Sequence, residues 1–190
     1  MTEKNKKNTP YKEAATARPR YLIAFDLDAT VLPKIDEIDE RTVRAFRAAH
    51  GQGHIPVIAS ARHYNMIRWV YEAMGLDSPV CAINGAHVFH PRDEAFAPSE
   101  RSISPRRTRR IIEAAFEYKC HIPMYIEYKN ALWYTEGNHG KYYRVRIDTS
   151  EPSTFFAHTT IPETPASRII ITPPDTRAAR EIEALIAADT

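Results

Sequence analysis

Cysteine is scarce in this chain: Cys81 and Cys120 are the only two in 190 residues, far apart and without metal-ligand spacing. That excludes a scaffold built on disulfides and a cysteine-ligated zinc module. Reduced thiols in a cytoplasmic protein are the expectation, and one structural disulfide is the alternative. No apolar run approaches the roughly 20 residues that a membrane-spanning helix needs, and the N-terminus has no apolar signal core. A surplus of one charge is missing too. Lys and Arg number 26 against 24 Asp and Glu, and a net charge of +2 is too small to suggest a nucleic-acid partner. None of the eight histidines is assigned a ligand role. Residues 1–20 are polar, Lys-rich and without hydrophobic periodicity, so they are expected to form a disordered tail.

What is present begins at Tyr21. Tyr21-Leu22-Ile23-Ala24-Phe25 runs straight into Asp26-Leu27-Asp28-Ala29-Thr30. A short apolar run that ends in polar residues reads as a buried strand of a parallel sheet, with Asp26 and Asp28 at its carboxyl end, where open α/β sheets hold ligands. Two carboxylates so close repel one another unless a cation or a proton is shared. Mg²⁺, which prefers oxygen ligands, is the natural cation. A carboxylate can also attack a phosphoryl group. The plain alternative is an acidic turn with no chemistry.

Asp39 can cap a helix through Val43, Phe46 and Ala49 to Gly51. Pro56-Val57-Ile58-Ala59 is a second apolar run, followed by Ser60-Ala61-Arg62. A second helix is expected with Met66, Ile67, Val70 and Met74 on one face and Gly75 at its end. Val80 to Ile83 is a third run, leading into Asn84-Gly85-Ala86. Strand and helix alternating at these intervals predict a doubly wound parallel α/β unit with right-handed crossovers. The three strands then point one way, and Asp26, Ser60 and Asn84 meet on one rim. Taken singly, Ser60 could cap a helix, Arg62 could pair with a surface acid, and Asn84-Gly85 could be only a turn.

In that order, Asp-Leu-Asp-Ala-Thr, Ser-Ala-Arg and Asn-Gly-Ala resemble the Asp-x-Asp-Gly-Thr, Thr-Gly-Arg and Asn-Gly-Ala segments of the haloacid dehalogenase (HAD) superfamily, in its Cof-type branch. The resemblance implies a Rossmannoid core and a Mg²⁺-dependent phosphatase of small phosphorylated metabolites. It implies Asp26 as nucleophile and Asp28 as general acid and then base. The Asp26 carboxylate and the backbone carbonyl of Asp28 would hold the metal, and Thr30 and Ser60 would contact phosphate. Arg62 and Asn84 would be looser contacts on the substrate side.

Past residue 92 the alternation changes, and residues 93–190 are expected to form an α/β cap after a core half at 21–92. Ser104-Pro105 starts a helix with Ile111, Ile112, Ala115 and Phe116 on one face. Ile122–Tyr128 and Ala131–Thr135 read as a hairpin, residues 137–158 as a polar, aromatic stretch, and Arg168–Thr172 as a strand. Asp175 caps a last helix. The arginines from Arg101 to Arg110 could attract a phosphorylated substrate or form a solvated face. Tyr125, Tyr128, Trp133, Tyr134, Tyr142 and Tyr143 could stack on a ligand or fill the cap's own core.

Two alanines depart from the family pattern. Ala29 and Ala61 stand where it has glycine, and an alanine forced to positive φ costs about 1 kcal/mol or more. The lysine and Gly-Asp…Asp segment that family members carry after the cap have no counterpart here, so the expectation is a truncated chain. The first strand would then be an open edge, available to a partner or a second copy. A non-catalytic remnant that binds a phosphorylated ligand or a protein partner is the alternative to an active phosphohydrolase.

Overall fold

The structure, a computed structural model, describes residues 19–34, 37–129, 131–136 and 153–188. The expected tail, but for Pro19 and Arg20, lies outside those residues, as do Tyr142 and Tyr143 and most of the polar stretch.

The first sheet orders its strands β1 (Leu22–Phe25), β2 (Ile55–Ala59), β3 (Val80–Ala82), β4 (His87–Phe89) and β5 (Ser99–Glu100) side by side. β1, β2 and β3 are parallel, as the alternation of strand and helix requires. β4 and β5 return antiparallel, which the sequence reading did not anticipate. The first sheet therefore runs to Glu100, past the expected boundary at residue 92.

Helix α1 (Glu40–Gly51) starts where an Asp39 carboxylate oxygen accepts the Arg41 N–H at 2.6 Å. Helix α2 (Arg68–Met74) stops at Gly75, whose φ of 66° is the left-handed conformation that ends helices. The second helix is shorter than expected. His63 Nδ1 accepts the Asn65 N–H at 3.4 Å and opens a separate turn at Tyr64–Met66. Met66 and Ile67 still face the core, with Leu27, Leu32, Ile58, Val70, Tyr71, Met74, Leu76 and Val80. Each such aliphatic side chain contributes about 1.5–3 kcal/mol when fully buried. Helix α1 buries no residue fully, and its Phe46 ring lies 4.1 Å from that of Phe25.

The second unit pairs a four-stranded sheet with two helices. Its strands are β6 (His121–Tyr128), β7 (Ala131–Tyr134), β8 (Ser153–Phe155) and β9 (Arg168–Thr172), in the order β8-β7-β6-β9. The β6–β7 hairpin is where the sequence put it, while β8, parallel to β7, is new. Ser104 Oγ caps α3 (Pro105–Glu117), and an Asp175 carboxylate oxygen accepts the Ala178 N–H at 2.8 Å at the start of α4 (Thr176–Ala188). Ile112, Ala115, Met124, Ile126, Phe156 and Ile182 form the core of this unit. Tyr125 on β6 is also buried. Both cysteines are free, and among the described residues no helix is long and apolar enough to cross a membrane.

Candidate active site

Parallel pairing aligns Phe25 with Ile58 and Ile58 with Val80, so the chain leaves all three strands at one rim. After β1 the Leu27 carbonyl accepts N–H groups from Thr30, Val31 and Leu32 at 3.3, 3.0 and 2.8 Å. That turn buries Leu27 and leaves Asp26, Asp28 and Thr30 exposed. It also sets Ala29 at φ 56°, the conformation in which the glycine of the resembling motif would be at ease. Ala61 is not among the residues at positive φ. The Asp26 carboxylate makes no ion pair among the described residues, and Thr30 donates only through its backbone.

Ser60 is buried, and its Oγ accepts the Arg62 N–H at 3.1 Å. It does not cap a helix, since α2 begins only at Arg68. The Arg62 side chain is 7% exposed and grips Asp28 with two nitrogens: Nε donates to Oδ2 at 2.9 Å, and Nη2 donates to Oδ1. Arg62 was expected as a loose contact on the substrate side. The structure instead turns it onto Asp28, whose carboxylate meets the need of a buried guanidinium for a charged acceptor.

The turn after β3 is strained. Ile83, Asn84 and Gly85 have φ values of 52°, 54° and 86°, and Ile83 is β-branched, so its conformation costs about 1–3 kcal/mol. The turn places the Ile83 N–H on the Arg62 carbonyl and the Asn84 N–H on the Ser60 carbonyl, both at 3.1 Å. The Asn84 side chain stays exposed on the rim.

The carbonyl between those two, that of Ala61, accepts Nη1 of Arg168 at 2.5 Å. Arg168 lies on β9, opposite Glu127 of β6, and two further nitrogens hold that fully buried carboxylate at 2.8 and 2.9 Å. Neither residue was picked out from sequence. The signal available was a charge set inside an apolar strand, as in Tyr125-Ile126-Glu127-Tyr128. Nearby, burial lowers the pKa of His63 and His87, and Lys129 bridges to Glu100 at 2.9 Å.

The rim suits a hard cation shared with a ligand. Its donors are all oxygen, and Mg²⁺ is commonly held by one or two carboxylates with phosphate and water completing its shell. Among the described residues no group of three His, Cys, Asp or Glu could hold a metal by itself.

A family model described as haloacid dehalogenase-like hydrolase matches residues 23–188. The chain belongs to that family. Within the HAD superfamily its likeness is to the Cof-type branch, also called subclass IIB. It is 31% identical over 101 residues to 5-amino-6-(5-phospho-D-ribitylamino)uracil phosphatase of Bacillus subtilis, a match covering 53% of this chain and 37% of that protein. Pyridoxal phosphate phosphatase of Escherichia coli is 26% identical over 106 residues, covering 56% and 39%. A haloacid dehalogenase-like hydrolase from Bacteroides thetaiotaomicron has the same fold, with TM-score 0.68 and 16% identity over 89% of this chain and 64% of its own. A subclass IIB sugar phosphatase aligns at TM-score 0.62 and 19% identity, with the same two coverages. The chain thus spans less than two fifths of these curated relatives and 64% of each of these two solved structures.

Proposed function

We propose that this HAD-family chain carries the nucleophile half of a Mg²⁺-dependent phosphohydrolase of small phosphorylated metabolites in the cytoplasm. One observation carries the reading. Asp26 is exposed, with no ion pair among the described residues, on a rim where Asp28 and Ser60 are each held by defined hydrogen bonds. The likeness to the B. subtilis and E. coli relatives, both named as phosphatases of phosphorylated small molecules, supports it.

In this reading an Asp26 carboxylate oxygen attacks phosphorus, and the ester P–O bond breaks as Asp28 protonates the leaving oxygen. Water then attacks the aspartyl phosphate, gives a proton to Asp28, and frees both phosphate and the Asp26 carboxylate. Ser60 and Thr30 hold phosphoryl oxygens, Arg62 orients Asp28, and Asn84 contacts the substrate. Mg²⁺ held by the Asp26 carboxylate and the Asp28 backbone carbonyl would neutralise phosphoryl charge.

The test is phosphate release from sugar and nucleotide monophosphates with Mg²⁺. Asp26→Asn is expected to abolish turnover, and activity kept in that variant would sink the assignment. A second reading, a non-catalytic binder of phosphorylated ligands, draws on the absence of a third acid among the described residues. Binding by folded protein without turnover would favour it.

A further inference from the structure

Three consecutive carbonyls fix the Ser60-Ala61-Arg62 segment. Those of Ser60 and Arg62 are held from within the first sheet's unit, by the turn after β3. The middle one is held from the second unit, by Arg168. The Ala61 carbonyl and the Arg62 N–H belong to one peptide group, and that N–H donates to Ser60 Oγ at 3.1 Å. A cation on the carbonyl polarises the peptide and strengthens its N–H as a donor. The Arg62 side chain meanwhile grips Asp28. A hydrogen-bonded chain therefore runs from Glu127, through Arg168 and the 61–62 peptide, to Ser60, and the side chain of Arg62, whose backbone is thereby fixed, carries it covalently to Asp28.

We infer that Arg168, clamped by Glu127, is a positioning residue that ties the seating of the second unit to the geometry of Ser60 and Asp28. This rests on the phosphohydrolase reading above. Glu127 is fully buried, so its carboxylate cannot turn away to water, and the guanidinium fork is fixed with its remaining nitrogen toward Ala61. A lysine has its three N–H donors on a single nitrogen and cannot reproduce the planar fork that spans Glu127 and Ala61. Arg168 reaches the rim through a backbone carbonyl and not through the substrate, so its loss should fall on kcat and leave KM nearly alone.

The experiment uses the 190-residue chain, isotopically labelled for NMR, with Mg²⁺ and a phosphomonoester the wild type hydrolyses. Arg168→Ala is expected to lower kcat about ten- to a hundredfold with KM within about twofold, and to shift the Ala61 carbonyl and Arg62 amide resonances. Arg168→Lys should recover part of both. Because Arg168→Ala strands a buried carboxylate, a double variant, Glu127→Leu with Arg168→Met, removes both charges together. It should stay folded and show the same loss. A folded double variant with wild-type kcat and unmoved resonances overturns the inference, as does a KM effect without a kcat effect. A wild type that hydrolyses nothing would defeat the phosphohydrolase reading instead, and the resonances alone would then decide the role of Arg168.

Discussion

Ala29 sits at φ 56°, where a β-carbon crowds the backbone and glycine does not. The three N–H groups on the Leu27 carbonyl hold the turn in that shape, so the cost is borne in the folded state. Ala29→Gly is expected to stabilise the chain by about 1 kcal/mol, read as a higher urea midpoint at unchanged slope. A lower midpoint would show that Ala29 is not held in the left-handed region. No such gain is expected at Ala61, which is not at positive φ. The rim residues were legible because a strand end fixes where its next residues go, and Asp26, Ser60 and Asn84 each follow a strand. The partner of Arg62 was not. A long guanidinium side chain can turn outward to a substrate or inward to an acid, and nothing local to Ser60-Ala61-Arg62 distinguishes Asp28, 34 residues away, from solvent.

Elements with caps and a full period were readable: α1 from Asp39, α3 from Ser104, α4 from Asp175, and the three parallel strands from their apolar runs. β4, β5 and β8 have three, two and three residues, too few to show alternation, and they were missed. β4 and the segment after β2 bury His87 and His63 to 6% and 4% exposure. Burial lowers the pKa of each from 6.5; at His63 Arg168 adds to the lowering and Glu127 opposes it. His87 Nδ1 has no partner among the described residues, and its ring stacks on Phe89 at 4.3 Å. The unfolded chain therefore binds more protons than the folded one once pH drops below about 6.5. Stability should be insensitive to these groups above that pH and fall as pH is lowered toward their folded values. His87→Phe keeps a ring against Phe89 and removes one titrating group, so its stability should decline less steeply between pH 7 and 5. Parallel pH curves for the variant and wild type would rule out His87 as a contributor.

Across the whole molecule, the first sheet has unequal flanks. Beyond β3 the chain covers its own sheet with β4 and β5, whereas β1 pairs with β2 alone among the described residues. An open edge here was the expectation drawn from the family resemblance, in which further strands pair beyond this one. A strand edge offers a row of unpaired N–H and C=O groups, and natural proteins blunt such rows with charge, proline or a cover. Here Leu22 is 66% and Tyr21 57% exposed, and no charged residue interrupts Leu22–Phe25. Helix α1 covers one face of the strand through Phe46, and among the described residues no strand pairs with its outer hydrogen-bonding side. The 190-residue chain is accordingly expected to self-associate through β1, with a sedimentation coefficient that rises with concentration. Leu22→Lys places a charge on the edge without touching the rim, and should move the distribution toward monomer while phosphate release per chain is retained. A wild type monomeric at every concentration, or association untouched by Leu22→Lys, would locate the contact elsewhere and leave β1 an edge that its own backbone solvation protects.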